Sequence, residues 1–375
     1  MTQPNYCHDI HHNLAIDYVN GRTEIGMCCQ SGRIVTDKKT ILEYWDNPTL
    51  KKLREDNLNG KLSSEFCNAC INVELDGIKS RRQNQHDFYK DWNPQSKKIR
   101  GIDIKLGNLC NLKCTICGPD ASTAWIADAK KLGKEISEFF YYDKELQFNL
   151  SDSSALHDLE LLHFWGGEPL IDDKHTKVLE FLNNCGILEN CRITYNTNGT
   201  YKVNARVLEL WAKAKLVELY FSIDDINDRF EYERYGAKWN KLIENLLWYR
   251  DNLSENHLFY ITCVVSYLNI WYLPELINWK KQNFDTNRLG DQTQLLFQVA
   301  NGECAIDNIS TKLKYQILEK FELYPEIHPF VLRPGEQLEY NPKTFIDYIT
   351  KLDVIRNTSY NNTFTEFNRI LNDSI

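Results

Sequence analysis

Short runs of β-branched and aromatic residues alternate with helix-like stretches between residues 96 and 305 of the chain. In the helix-like stretches apolar residues recur three and four positions apart, as in residues 174–186 and 204–214. Asn204 is a candidate N-cap for the second of these. Most of the apolar runs end at Gly, Asn or Asp, which is typical of β-strands. The pattern predicts six strands, at residues 100–107, 159–169, 192–200, 216–225, 257–266 and 294–300.

The alternation predicts an α/β fold in which crossover helices join parallel strands. Six such units indicate a (β/α)6 partial barrel, and a doubly wound open sheet is the alternative. Three domains are expected: a cysteine-rich module at residues 1–95, the partial barrel at 96–305 and a helical extension at 306–375. Polar and glycine-rich groups follow the first four strands, and sites in α/β proteins form at that edge.

The composition narrows the class of protein. The net charge is −8 and no long run of Lys or Arg occurs, so a nucleic-acid partner is not indicated. No apolar stretch approaches ~18 residues, which predicts no transmembrane helix, and the N-terminus lacks the apolar centre of a signal peptide. We therefore expect a cytoplasmic protein, and clustered cysteines in that compartment are more often metal ligands or catalytic groups than disulfides.

Three of the 12 cysteines lie close together in the sequence NLCNLKCTICGPD, after the first predicted strand. Structural zinc sites take four ligands, usually as two CxxC-like pairs, so the CxxxCxxC spacing of Cys110, Cys114 and Cys117 does not close one. A [4Fe-4S] cluster has four irons, each needing an outer ligand. Three thiolates would leave one iron open to a substrate or cofactor. A zinc site completed by a distant His is the alternative.

This segment resembles the signature of the radical S-adenosylmethionine (radical SAM) superfamily, and GGEP at residues 166–169 resembles its methionine-binding motif. The resemblance covers about residues 96–305. It implies a partial barrel that holds a [4Fe-4S] cluster on Cys110, Cys114 and Cys117, with SAM chelated by the open iron. It also implies reductive cleavage of SAM, a 5′-deoxyadenosyl radical that abstracts a substrate hydrogen, and an electron donor such as flavodoxin or ferredoxin.

The resemblance also implies SAM contacts outside the three cysteines. Gly166 and Gly167 are expected to allow close backbone approach, and Glu168 to bind the SAM amino group or brace its loop. A plain strand-to-helix turn is the alternative for this motif. The remaining implied cofactor-binding positions are Ile116, Asn198, Ser222, Asp224 and Arg234. For Asp224 the alternative is a turn cap, and for Arg234 it is a solvated surface residue.

A second set of cysteines lies in the N-terminal module, at Cys7, Cys28, Cys29, Cys67 and Cys70. A hairpin predicted at Asn20–Gly21 returns Cys28 and Cys29 toward Cys7, and residues 40–62 have a helical pattern. Four thiolates would then come from Cys7, Cys67, Cys70 and either Cys28 or Cys29. Such a set suits either zinc or a fully ligated [4Fe-4S] cluster. Adjacent strand residues point to opposite faces, so the pair is expected to divide its roles.

The set resembles the twitch and SPASM modules of radical SAM enzymes, which hold auxiliary iron–sulfur clusters but usually follow the barrel. The resemblance favours an auxiliary cluster over structural zinc, with Cys28 as the ligand of the pair. Ser80-Arg81-Arg82 is expected either to bring positive charge near the cluster or substrate or to form a solvated turn. The neighbouring histidines are expected to be exposed turn residues: His8, His11 and His12. The scattered cysteines are expected to be inert: Cys185, Cys191, Cys263 and Cys304.

Two classes of function remain open on this basis. The first is a radical SAM enzyme that modifies a peptide or protein, with oxidation of a small molecule such as a sugar alcohol as its close alternative. The second is a non-catalytic, zinc-stabilised binding protein. Residues 306–375 carry helical spacing but no catalytic motif.

Overall fold

The computed structural model describes residues 5–19, 22–75, 77, 79–89, 93, 96, 98–136, 153–284, 293–306, 310–331 and 343–372. The strands are β1 (Asn13–Val19), β2 (Arg22–Gly26), β3 (Ile34–Thr36), β4 (Gly101–Lys105), β5 (Leu161–Trp165), β6 (Arg192–Thr197), β7 (Leu216–Ser222), β8 (His257–Val265) and β9 (Gln294–Val299). The first helices are α1 (His8–His12), α2 (Ile41–Trp45), α3 (Pro48–Leu58), α4 (Ser64–Leu75), α5 (Arg81–Phe88), α6 (Ile126–Lys131), α7 (Lys174–Asn184) and α8 (Ala205–Lys213). The later helices are α9 (Asn227–Glu233), α10 (Trp239–Asn252), α11 (Leu273–Asn283), α12 (Thr311–Lys320), α13 (His328–Val331), α14 (Lys343–Arg356), α15 (Tyr360–Thr363) and α16 (Thr365–Asn372).

The chain divides into two compact units, and the division passes through β7. Unit 1 comprises Met1–Leu109, Ser137–Asn196 and Val203–Glu218. Unit 2 comprises Cys110–Ile136, Thr197–Lys202 and Leu219–Ile375. The division at residues 95 and 305 that the sequence suggests stays a prediction.

Unit 1 is built on a sheet with the strand order β3-β2-β1-β4-β5-β6. β1 and β2 pair antiparallel, whereas β1 with β4, β4 with β5 and β5 with β6 pair parallel. Side chains alternate across a strand, so the buried Ile102 and Ile104 of β4 share one face while Asp103 lies on the other. Asp103 is the register partner of His163 on β5. The polar face of this sheet therefore carries a carboxylate and an imidazole side by side.

In unit 2 the strand order is β7-β8-β9, with β8 and β9 parallel. The C-terminal helices belong to the core of this unit. Phe345 of α14 is buried and stacks on Tyr267, with 4.9 Å between ring centroids. At the end of α14 the buried Arg356 donates to Asp128 at 2.9 Å. The helical spacing noted in residues 306–375 is confirmed over Lys343–Arg356, and this helix is integral to the packing of unit 2.

The α/β class with parallel strands is confirmed, and each of the six predicted strands overlaps one of β4–β9. Asn204 caps α8 as predicted, since its side chain accepts from the Val207 N–H at 3.0 Å. The predicted N-terminal hairpin is present as β1 and β2, with Val19 opposite Arg22, although Asn20 and Gly21 themselves lie outside the described residues. The single helix expected at residues 40–62 is two helices, because Pro48 begins α3 and cannot continue α2. No helix in the described ranges has the length and apolar character needed to cross a bilayer.

Candidate functional site

The loop that carries Cys110, Cys114 and Cys117 belongs to unit 2 and follows β4 in the chain. Backbone bonds fix its path: the Lys113 N–H donates to the Tyr235 carbonyl at 2.9 Å, and the Thr115 N–H donates to the Glu233 carbonyl at 2.7 Å. A turn is closed where the Cys117 N–H donates to the Cys114 carbonyl at 3.0 Å. The three thiols are therefore presented by a loop that backbone bonds hold in place.

The thiols of this loop are electrostatically coupled to one another and to a buried arginine. A hydrogen bond between the Cys114 and Cys117 thiols, aided by the charge of Arg234, lowers the pKa of Cys114 to about 7. The same bond and burial raise the pKa of Cys117. Arg234 Nη1 lies 3.8 Å from Cys114 Sγ. A thiol with a lowered pKa ionises more easily, which suits a metal cluster because such clusters bind thiolates rather than thiols.

Arg234 is not the solvated surface residue that was the alternative, because it is only 7% exposed. Its Nη2 lies 2.8 Å from Asp224 Oδ2, and Asp224 Oδ1 accepts from the Val264 N–H at 2.8 Å. Burial raises the pKa of Asp224, and the Arg234 charge opposes that rise. Asp224 thus fixes a guanidinium beside Cys114, rather than only capping a turn.

The other predicted cofactor-binding positions of unit 2 differ in whether they contact the cysteine loop. Asn198 Nδ2 is 3.8 Å from Cys110 Sγ and 3.0 Å from Asn111 Oδ1, so this amide contacts the cysteine loop. Ile116 is half-buried between the second and third cysteines, and Ser222 is half-buried at the end of β7. Contacts therefore join Asn198 and Arg234 to the thiols directly, and Asp224 through Arg234.

The GGEP segment belongs to unit 1, where it packs against the backbone that leads toward Cys110. The Gly167 N–H donates to the Gly107 carbonyl at 3.2 Å, and the Glu168 N–H donates to the Leu109 carbonyl at 2.7 Å. Gly166 has φ +123°, a value that favours glycine. Glu168 is 1% exposed, and its carboxylate accepts from the Leu170 N–H at 3.1 Å. Glu168 braces its own loop, which is one of the two roles expected for it.

Replacing Gly167 by Ala is expected to destabilise unit 1 by about 1–3 kcal/mol, the usual cost of overpacking. A Cβ atom at this position would lie 2.2 Å from the Leu109 carbonyl oxygen, so the backbone itself must shift. Urea unfolding of the variant measures the loss. Gly186→Ala is the comparison variant, because it adds backbone strain at φ +68° but no contact within 4 Å of its Cβ position, and it should lose only about 1 kcal/mol. A smaller loss for Gly167→Ala than for Gly186→Ala would contradict a requirement for close approach at Gly167.

Four of the N-terminal cysteines line one cavity in unit 1: Cys7, Cys28, Cys67 and Cys70. They come from three chain segments. Cys67 and Cys70 lie three residues apart on α4, which places them on one helix face. Burial raises the pKa of Cys7, and the charges of Cys67 and Cys70 raise it further. The structure thus brings together four of the five N-terminal cysteines.

A tight turn after β2 separates the two members of the vicinal pair. Ser31 Oγ accepts from the Met27 N–H at 3.0 Å, and the Ser31 N–H donates to the Cys28 carbonyl at 3.1 Å. Arg33 donates to the carbonyls of Cys28 and Cys29 at 2.9 and 3.0 Å. Cys28 faces the cavity, whereas the Cys29 side chain lies with Asp103 and His163. The two thiols therefore belong to different surroundings.

Sequence reasoning missed the group formed by Cys29, Asp103 and His163. Their potential ligand atoms lie within 4.8 Å of one another. Asp103 and His163 fall within the first two predicted strands, but only the β4–β5 register makes them neighbours. The sequence feature that could have indicated this group is a polar residue, Asp103 or His163, inside each of two consecutive apolar strands.

The basic residues after α4 are buried contacts rather than a solvated turn. Arg82 is 7% exposed, lines the four-cysteine cavity and donates to the Tyr6 carbonyl at 3.1 Å. Its Nε also donates to Glu74 at 3.1 Å. Arg81 Nε donates to Asp9 at 2.9 Å, and its charge bears on Cys28 and Cys29. Positive charge is thus placed beside the N-terminal cysteines.

The expectation of exposed histidines beside Cys7 is wrong. His8, His11 and His12 lie on α1 and are at most 3% exposed. Burial lowers the pKa of each to about 4, so the three rings pack as neutral groups. His11 bonds Asn57 at 3.1 Å and stacks on Tyr6. The error arose because a polar run was taken for a surface turn.

Comparison with known proteins gives a match to the description "Radical SAM superfamily" over residues 104–279. Among solved structures, anSMEcpe with bound AdoMet is 17% identical, with 60% of this chain and 61% of that chain covered and a TM-score of 0.42. anSMEcpe with bound AdoMet and Cp18Cys peptide is 18% identical, with 60% of each chain covered and a TM-score of 0.40. Streptococcus suis SuiB bound to S-adenosylmethionine is 12% identical, with 84% of this chain and 68% of that chain covered and a TM-score of 0.37. The chain thus spans about 60% of the length of the anSMEcpe structures. No curated protein matches the sequence.

Proposed function

We propose that the chain is an enzyme of the radical SAM superfamily, whose description matches residues 104–279, and that it cleaves SAM reductively and abstracts a hydrogen atom from its substrate. A [4Fe-4S] cluster on Cys110, Cys114 and Cys117 would supply the electron for this cleavage and the open iron that holds SAM. The observation that carries the proposal is the placement of three thiols on one loop anchored by backbone bonds, with Arg234 beside Cys114.

The surrounding residues have separable tasks in this proposal. Arg234 offsets negative charge at Cys114, and Asp224 holds the guanidinium in place by the 2.8 Å ion pair. Because Arg234 is buried, this ion pair is screened less than a surface pair would be. The Asn198 amide contacts Cys110 and positions it. Ile116 and Ser222 are proposed to face the adenosine part of SAM, and GGEP its methionine part, as the family resemblance implies.

We further propose that Cys7, Cys28, Cys67 and Cys70 hold a second, auxiliary [4Fe-4S] cluster. The shared cavity and the adjacent cation of Arg82 support this assignment. Around one zinc ion, thiolate sulfurs at about 2.3 Å from the metal come within about 3.8 Å of one another. In the part of the chain that the structure describes, three potential ligand atoms lie within 4.8 Å of one another at Cys29, Asp103 and His163, whereas no three of these four cysteines meet that distance. Wider spacing suits thiolates that bind four different irons.

We propose a peptide or protein as the substrate. An auxiliary cluster like those of twitch and SPASM modules favours a peptide or protein substrate, and a small molecule such as a sugar alcohol is the alternative. Reduced flavodoxin or ferredoxin is the proposed electron donor, and the cytoplasm the proposed location. A test is anaerobic purification followed by iron, sulfide and zinc analysis and an assay for 5′-deoxyadenosine. About eight irons per chain fits two clusters, whereas zinc without iron would point to a binding protein.

Separate Cys28→Ala and Cys29→Ala variants are expected to differ in iron content. Cys28 lines the shared cavity, so its loss should remove about four of about eight irons per chain. Cys29→Ala should keep nearly all of its iron, because its thiol lies with Asp103 and His163. Iron analysis of the reconstituted proteins makes the comparison, and each variant serves as the other's control. Equal, severe losses in both would show that both thiols bind the cluster.

A further inference from the structure

We propose that Cys29, Asp103 and His163 of unit 1 bind one divalent transition-metal ion, with zinc as the best-fitting ion. The three offer one sulfur, one oxygen and one nitrogen atom within 4.8 Å of one another. Zinc accepts this mixture of donors, and three protein ligands leave its fourth position for water or a substrate oxygen. This site is separate from both iron–sulfur sites proposed above and goes beyond the proposed function.

The backbone fixes two of the three ligands independently of any ion. Asp103 and His163 are register partners on the parallel strands β4 and β5, so their side chains stand on one face of the sheet. His163 Nδ1 lies 2.8 Å from Asp103 Oδ1. The third ligand arrives from the turn after β2, whose path is held by Ser31 and Arg33. A site formed by adjacent strands and a pinned turn needs little rearrangement to accept an ion.

The contacts around Asp103 leave one carboxylate oxygen directed to the group. Oδ2 accepts from the Cys29 N–H at 2.8 Å, from Asn13 Nδ2 at 3.0 Å and, at the longer distance of 3.5 Å, from Arg81 Nη2. Oδ1 is bonded to His163. An ion bound by Asp103 Oδ1, His163 and the Cys29 thiolate would replace that one hydrogen bond and leave the donors on Oδ2 in place. Such outer contacts orient metal-binding carboxylates and strengthen binding.

The charge balance also suits a divalent ion. Asp103 is fully buried, and its neighbour Asp9 is nearly so, while Arg81 lies 2.9 Å from Asp9 and 3.5 Å from Asp103. When Cys29 gives up its proton to bind metal, two carboxylates and one thiolate face the Arg81 guanidinium. The nearby Arg33 is already neutralised by its ion pair with Asp17 at 2.6 Å. The remaining two negative charges equal the charge of one divalent ion. Buried charges need such compensation.

Two steps test the site on the intact protein with its iron–sulfur clusters loaded. The protein is incubated with Zn²⁺, desalted, and analysed for zinc and iron by mass spectrometry and for zinc coordination by X-ray absorption at the zinc edge. We expect one zinc with one sulfur at about 2.3 Å and nitrogen or oxygen at about 2.0–2.2 Å. Iron does not contribute at that edge, so the clusters do not obscure the result.

Variants locate the ion. Cys29→Ser and His163→Gln should each weaken zinc binding by at least ~10-fold, as losing even an outer contact typically does, while iron stays unchanged. Cys28→Ser is the matched control and should lose iron but keep zinc. If Cys29→Ser does not fold, His163→Gln still tests the site. The His163 side chain is partly exposed, so its replacement should disturb folding less. Absence of zinc, an all-sulfur zinc environment, or unchanged zinc in both variants would each overturn the site. Iron content and SAM cleavage in the same samples report separately on the proposed function.

Discussion

Replacing Cys110, Cys114 and Cys117 together by Ala is expected to abolish formation of 5′-deoxyadenosine while the chain stays folded. The catalytic loss should be complete, because without thiolates no cluster can hold SAM or pass it an electron. Folding should persist because the loop is anchored by backbone bonds at Lys113 and Thr115 rather than by its thiols. The measurements are 5′-deoxyadenosine production with dithionite, iron content and far-UV circular dichroism. Iron should fall from about eight to about four per chain.

A second triple variant shows whether removing any three thiols, rather than these three, abolishes SAM cleavage. Cys185, Cys191 and Cys304 lie outside both proposed clusters, and two of them are buried. Their replacement by Ala should cost some stability through lost packing but leave SAM cleavage intact. Production of 5′-deoxyadenosine by the Cys110/Cys114/Cys117 variant would show that the radical chemistry was assigned to the wrong residues.

The sequence predicted best those features that depend on local pattern. The six strands β4–β9 were readable because each is a short apolar run closed by turn residues. The Cys110, Cys114 and Cys117 loop and the GGEP segment could be identified from the sequence because each is defined by residue types at fixed spacing. The requirement for glycine at Gly167 has a physical counterpart in the structure, since a side chain there would meet the Leu109 carbonyl.

Features that depend on long-range pairing were not predicted. Asp103 and His163 are neighbours only because of the register in which β4 and β5 pair. A register shift of one residue would turn one of the two side chains to the opposite face of the sheet. The parallel pairing of β1 with β4 likewise has no local signal. Burial of His8, His11 and His12 depends on what packs over α1, such as Asn57 and Tyr6. A polar run alone cannot distinguish such a helix from a surface turn.

The double variant Cys67→Ala/Cys70→Ala is expected to lose about four irons per chain and to destabilise unit 1. The two thiols sit on α4, while the other proposed ligands come from the start of the chain and from the turn after β2. A cluster that joins segments about 60 positions apart contributes its binding free energy to folding, because the unfolded chain has no preformed site. The thermal midpoint should therefore fall by several degrees. SAM cleavage in unit 2 should survive, since the Cys110, Cys114 and Cys117 loop is unchanged.

The matched control for this variant is Asn68→Ala/Asn72→Ala, which alters two exposed positions of the same helix. It should keep its iron, and its thermal midpoint should change little, because exposed Asn contributes no packing and Ala favours helix. Iron analysis and thermal unfolding of the two double variants side by side separate loss of a ligand from disturbance of α4. Full iron retention after removal of Cys67 and Cys70 would mean that these thiols do not share a site with Cys7 and Cys28, and the cavity that the four cysteines line would then need another occupant.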